Sequence, residues 1–128
     1  MNQPIILCDK IDRANISSIK SIIDGVIIFY PGTGFSLLDD INTSILSQDG
    51  KQAPAGLIVD KKLTVSGNVD YLTHIDLTSQ PQIFRLRSSD GQIFILGSKD
   101  NPVKCSTVSR EVSKTKYTFI QSSKDFIL

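Results

Sequence analysis

The chain has 128 residues and 14.1 kDa, a length that on size alone makes one domain with its own core. Its 40% hydrophobic and 21% charged residues describe an ordinary core and solvated surface, so neither a disulfide nor a metal is required to hold it. Fourteen basic residues against thirteen acidic ones leave a net charge of +1 with no block of one sign, which excludes the clustered cations that drive non-specific nucleic-acid binding.

From the N-terminus, Pro4 to Leu7 reads as a short strand. The spacing of Ile16, Ile19, Ile22 and Ile23 suits one face of a short helix, although β-branched isoleucines also suit a strand. Asp24-Gly25 ends that segment. Val26 to Tyr30 is then a continuous apolar run of strand length closed by Pro31-Gly32, and is expected to be the central core strand, buried on both faces. From 39 to 56 the chain turns polar, with Asp49-Gly50, Pro54 and Gly56 as breakers. This stretch is expected to be a loop or exposed arm, with room for a turn of helix around Leu37 to Ile41.

Short strands are expected at Leu57 to Val59, Lys62 to Val65 and Leu72 to Leu77. Leu63 and Val65 share a face; Leu72, His74 and Asp76 would share one opposite Tyr71, Thr73, Ile75 and Leu77. The clearest local signal follows: Ile83 to Arg87 and Gln92 to Gly97 flank Ser88-Ser89-Asp90-Gly91, a β-hairpin around an Asp-Gly turn, with Phe84 and Phe94 as its expected cross-strand pair. After a turn at Asp100-Asn101-Pro102, Val103 to Ser109 and Lys116 to Ser122 finish the sheet. In the last strand Tyr117, Phe119 and Gln121 alternate against Thr118, Ile120 and Ser122. Many short strands with close turn signals predict a mainly β, single-domain antiparallel sandwich or open barrel over residues 1–128, with at most one short helix.

The reactive side chains form no recognisable constellation. Pro31-Gly32-Thr33-Gly34 follows an apolar strand, yet lacks the glycine spacing and the Lys-Ser/Thr of a phosphate loop, so it reads as a turn. His74 is the only histidine, and His74-x-Asp76 lacks the further ligands a metal site needs. Asp39-Asp40 with Asp60 would be a carboxylate pair only if their environments differed, and a solvated pair is the simpler reading. Cys8 and Cys105 are the only thiols; without a secretory h-region after Pro4 they are expected to stay free and buried in an intracellular chain. Arg110, Lys114 and Lys116 form a modest positive excess containing Glu111, read as charges on a solvated strand edge. No cofactor, no membrane span and no enzyme activity are expected.

Leu63-Thr64-Val65-Ser66-Gly67, Phe84-Arg85-Leu86 with Asp90-Gly91, Phe94-Ile95-Leu96-Gly97-Ser98, Pro102, Lys116-Tyr117-Thr118-Phe119 and Phe126-Ile127-Leu128, preceded by the segment from Ile19 to Pro31, form a pattern. It resembles that of small virion proteins encoded by phages and prophages of gut Bacteroidetes. The resemblance implies a β-domain that packs against copies of itself or a neighbour in a tail or neck, in a virion assembled in the host cytoplasm. It offers no catalytic residue to carry over, and the polar stretch 39–56 has no counterpart in it. The sequence reading is therefore a non-enzymatic structural protein that forms a homo-oligomer through sheet edges. Asp39, Asp40, Asp49, Gly50, Phe126, Ile127 and Leu128 are the expected contacts. A stand-alone β-domain that binds a ligand or protein is the alternative.

Overall fold

The computed structural model describes residues 5–24, 26–38 and 41–123. Asp39, Asp40 and the tripeptide Phe126 to Leu128 lie outside them. The fold is mainly β: one strongly curled antiparallel sheet forms a half-barrel. Its strands are β1 (Ile5–Asn15), β4 (Ser36–Leu37), β5 (Ile41–Ala53), β6 (Gly56–Gly67), β7 (Gln82–Ser88), β8 (Ile93–Leu96), β9 (Lys104–Arg110) and β10 (Thr115–Ser123), in the order β8-β7-β1-β5-β6-β10-β9 with β4 beside β1. A separate two-stranded sheet is made by β2 (Ile19–Ile23) and β3 (Val26–Phe29), and the one α-helix among the described residues, α1, spans Tyr71–Ser79.

The curl has a local cause in β1. Residues 5–7 pair with β5, whereas residues 8–15 pair with β7 on the other edge, and the register slips between Cys8 and Lys10. Such a bulge bends a strand and increases its twist, turning the two halves of the sheet toward each other. The concave face is then filled by alternate side chains: Leu46 from β5, Leu63 and Val65 from β6, Phe84 and Leu86 from β7, Tyr117 and Phe119 from β10. Phe84 and Phe119 meet across the hollow, ring centroids 4.8 Å apart, although β1, β5 and β6 separate their strands in the sheet. Toward one end the concave face turns polar, where Gln48, Lys61 and Gln121 lie side by side on β5, β6 and β10.

The hairpin at 83–97 is present as expected, with Ser88 N–H donating to Gln92 O and Gly91 N–H to Ser88 O, and with Gly91 at φ +93°. Its aromatic pairing differs. Phe84 stands opposite Leu96 and Phe94 opposite Leu86, so Phe84 finds its aromatic partner in β10 instead.

Four further expectations are corrected. The helix-like isoleucine spacing at 16–23 resolves into a 3-10 turn, Ile16–Ser18, and strand β2. Ser36 and Leu37 extend beside Arg13 and Asp12 and start no helix. The apolar run of β3 is not the core strand: Val26 and Ile28 are exposed, and among the described residues its only strand partner is β2. The stretch 39–56 contains the whole of the longest strand, β5, and among the described residues no long loop. Asp49-Gly50 lies within that strand, facing Asp60 and Val59, and the reversal comes at Pro54-Ala55. The notion of an arm survives in part, because residues 51–58 of this hairpin pair only with one another among the described residues.

A last correction concerns His74. The segment expected to be a strand is α1, begun by Asp70, whose carboxylate accepts from Thr73 N–H at 2.7 Å. This N-cap satisfies a donor that the first turn would otherwise leave open. Leu77 anchors the helix by full burial, Arg13 on β1 holds Asp76 at 3.1 Å, and Tyr117 on β10 holds His74 at 2.6 Å.

Candidate functional site

The helix separates the residues that alternation would have joined. His74 and Asp76 turn to different partners: Asp76 to Arg13, and the His74 ring to the Tyr117 hydroxyl, with ring centroids 5.6 Å apart. Among the described residues no three of His, Cys, Asp or Glu gather closely enough to hold a metal ion. Both cysteines are free; burial, aided by the neighbouring Asp9 charge, pushes the Cys8 thiol up to about 11, and burial raises Cys105 as well. Thiols held in their protonated form at neutral pH are poor nucleophiles.

Asp49 and Gly50 sit on the hairpin that the polar stretch forms. Asp49 lies directly opposite Asp60, a like-charge pairing that costs a sheet stability unless a cation intervenes. Lys51, two residues along the same face, supplies it at 2.9 Å from Asp60. Asp60 is also an acceptor for the Ser122 hydroxyl at 2.6 Å, and these partners hold its carboxyl below the ordinary range, Ser122 first and Lys51 second. A groove of about 420 Å³ follows this face of β5, β6 and β10 past Asp49, Asp60, Lys62 and Ser122.

Two other regions stand out. The first is the β2–β3 hairpin. Ile19 is buried at its root, Tyr30 N–H donates to Ser18 O, and Lys99 Nζ donates to Lys20 O. Beyond that root Ile23, Val26, Ile28 and Tyr30 are exposed, and neither strand packs extensively on another element. The second is an open cleft of about 450 Å³ between α1 and the β9–β10 turn. The His74 ring, Tyr117, Arg110 and Lys114 line it. Along the sequence Arg110 and Lys114 are edge charges and His74 is the only histidine, with nothing to join them. Only the crossing of α1 over the end of the sheet brings them to one place.

The two sheet edges differ in character. Edge strand β9 carries Lys104 and Arg110, charges that discourage pairing with another chain. Edge strand β8, Ile93-Phe94-Ile95-Leu96, has no charge, and Ile93 and Ile95 point outward at 65% and 42% exposure. Among the described residues no helix is long and apolar enough to cross a membrane. Compared with family models, curated proteins and solved structures, the chain matches none.

Proposed function

We propose that this protein is a non-enzymatic structural subunit that self-associates, and that it serves in the tail or neck of a phage-like particle, as the resemblance of its hairpin and strand pattern implies. The observation that carries the self-association is the β2–β3 hairpin. An isolated two-stranded hairpin is marginal in water, and this one holds apolar side chains outward where its own body does not cover them. A neighbouring copy is the natural cover. The uncharged β8 edge is the receiving surface, because its open backbone groups and outward isoleucines can accept another strand. Arm and edge are different patches, so their union is head-to-tail and builds a ring or a tube in preference to a closed pair.

The test is the mass of the purified chain across concentrations, by light scattering and native mass spectrometry, for the parent and for Val26→Asp/Ile28→Asp. Expected are a discrete ring or tubes that lengthen with concentration for the parent, and a folded monomer for the variant. A parent that stays monomeric, or a variant that assembles equally well, overturns the reading. Density-purified particles from cells that make the protein should contain it; its absence from the particle band overturns the particle assignment. The reading as a stand-alone binding module draws on a separate observation, the cleft beside His74.

A further inference from the structure

We infer that the cleft between α1 and the β9–β10 turn is a binding site for a small monocarboxylate carried on an apolar or aromatic body. The inference deepens the binding-module reading and stands apart from assembly.

Three features define the ligand. The first is a donor with nothing to donate to. Tyr117 is buried, and its hydroxyl lies 2.6 Å from His74 Nδ1. Among the described residues Nδ1 is the hydroxyl's one hydrogen-bond partner, so the phenol proton is assigned to that bond, with Nδ1 accepting. Neutral imidazole with an accepting Nδ1 carries its own proton on Nε2. Among the described residues Nε2–H has no hydrogen-bond acceptor, while the ring lines the cleft.

Charge is the second feature. Arg110 and Lys114 lie on the cleft wall, and neither they nor Glu111 take part in any ion pair among the described residues. Two cations against one carboxylate favour an anion of single charge. A phosphate dianion would set its second charge against Glu111, whereas a carboxylate carries a single charge and has lone pairs enough to accept from both the Arg110 guanidinium and Nε2–H. The third feature is the apolar wall. Tyr71 is 74% exposed at the start of α1 and Val112 is fully exposed at the turn, both lining the same cleft. The volume, about 450 Å³, falls in the range of small-ligand sites.

The probe is 3-phenylpropionate, titrated into the 15N-labelled protein by NMR, with 3-phenylpropanamide as the uncharged match. Expected is a saturable millimolar interaction, with shifts confined to residues 68–75 and 110–117, and binding of the amide weaker by about tenfold. Arg110→Gln changes an exposed side chain and should weaken the acid by about five- to tenfold while leaving the amide unaffected. His74→Phe keeps the ring volume and should weaken it also. The arm variant Val26→Asp/Ile28→Asp should bind as the parent does, which separates this site from assembly. No saturable shift up to about 20 mM, equal affinity for acid and amide, or an Arg110→Gln protein that binds the acid undiminished would each overturn the assignment.

Discussion

The Phe84–Phe119 contact offers the sharpest test of how the half-barrel is closed. Both rings are fully buried, and they come from strands that share no ladder, so their contact exists only if the sheet curls. Truncating Phe84 to Ala removes a ring from a packed site and should cost about 3–5 kcal/mol. With a urea slope of about 2 kcal/mol per molar, that moves the unfolding midpoint down by roughly 2 M. A double-mutant cycle with Phe84→Leu and Phe119→Leu isolates the ring–ring part, expected at about 0.5–1.5 kcal/mol for a tilted pair at 4.8 Å. The control cycle pairs Phe84→Leu with Phe94→Leu. Phe94 is half-buried and stands opposite Leu86, so its coupling to Phe84 should stay within about 0.5 kcal/mol. All variants are unfolded in urea and followed by far-UV circular dichroism, at a concentration where the parent is monomeric. A coupling larger for Phe84 with Phe94 than for Phe84 with Phe119 would place the ring in the local hairpin and refute the closure described here.

Three other predictions follow from single positions. Gly97→Ala should cost about 1–3 kcal/mol, because φ is +98° and the added Cβ would meet Val103 Cγ2 at 3.0 Å. Gly91→Ala, at φ +93° with open space around it, should cost less; the reverse order in thermal melts would contradict the packing at the end of β8. The Asp70 carboxyl lies below its ordinary value of 3.8, because the Thr73 backbone N–H and side chain bond to it, with Arg13 adding attraction. Its contribution is therefore complete above that ordinary value and lost as pH falls through the lower folded value. Asp70→Ala should flatten this acid limb of stability and speed amide exchange at Thr73 and His74, and unchanged profiles would show that the cap does no stabilising. With a thiol raised to about 11, Cys8 is only about one part in a thousand thiolate at pH 8. Iodoacetamide should leave it unlabelled in the folded protein and label it in urea, as peptide mass spectrometry will show; rapid labelling of native Cys8 would contradict its burial.

What could be read along the chain was whatever depends on a few neighbouring residues. Asp90-Gly91 announced a reversal because the turn needs a left-handed residue, and Gly91 sits there. Tyr117 and Phe119 alternate inward against the outward Ile120, as do Leu63 and Val65 on β6, because strand periodicity is a property of the strand itself. Asp70 could also have been read as an N-cap, yet the competing alternation of Leu72 to Leu77 hid the helix. That helix holds because the core takes up Leu77 and Arg13 on β1 meets Asp76, partners that no window over 70–79 contains.

The tertiary structure alone decided which apolar runs are core and which charges meet. Val26 to Phe29 has the composition of a buried strand but lies in a satellite hairpin, since the concave face is already filled from β5, β6, β7 and β10. Asp49-Gly50 has the composition of a turn but stays extended, since pairing with β6 and the Lys51–Asp60 contact outweigh the local preference. His74, Tyr117, Arg110 and Lys114 share a cleft only because α1 crosses the end of a curled sheet. Local chemistry sets turns and alternation; burial is awarded by long-range pairing, which depends on where the bulge in β1 bends the sheet and on what reaches the hollow.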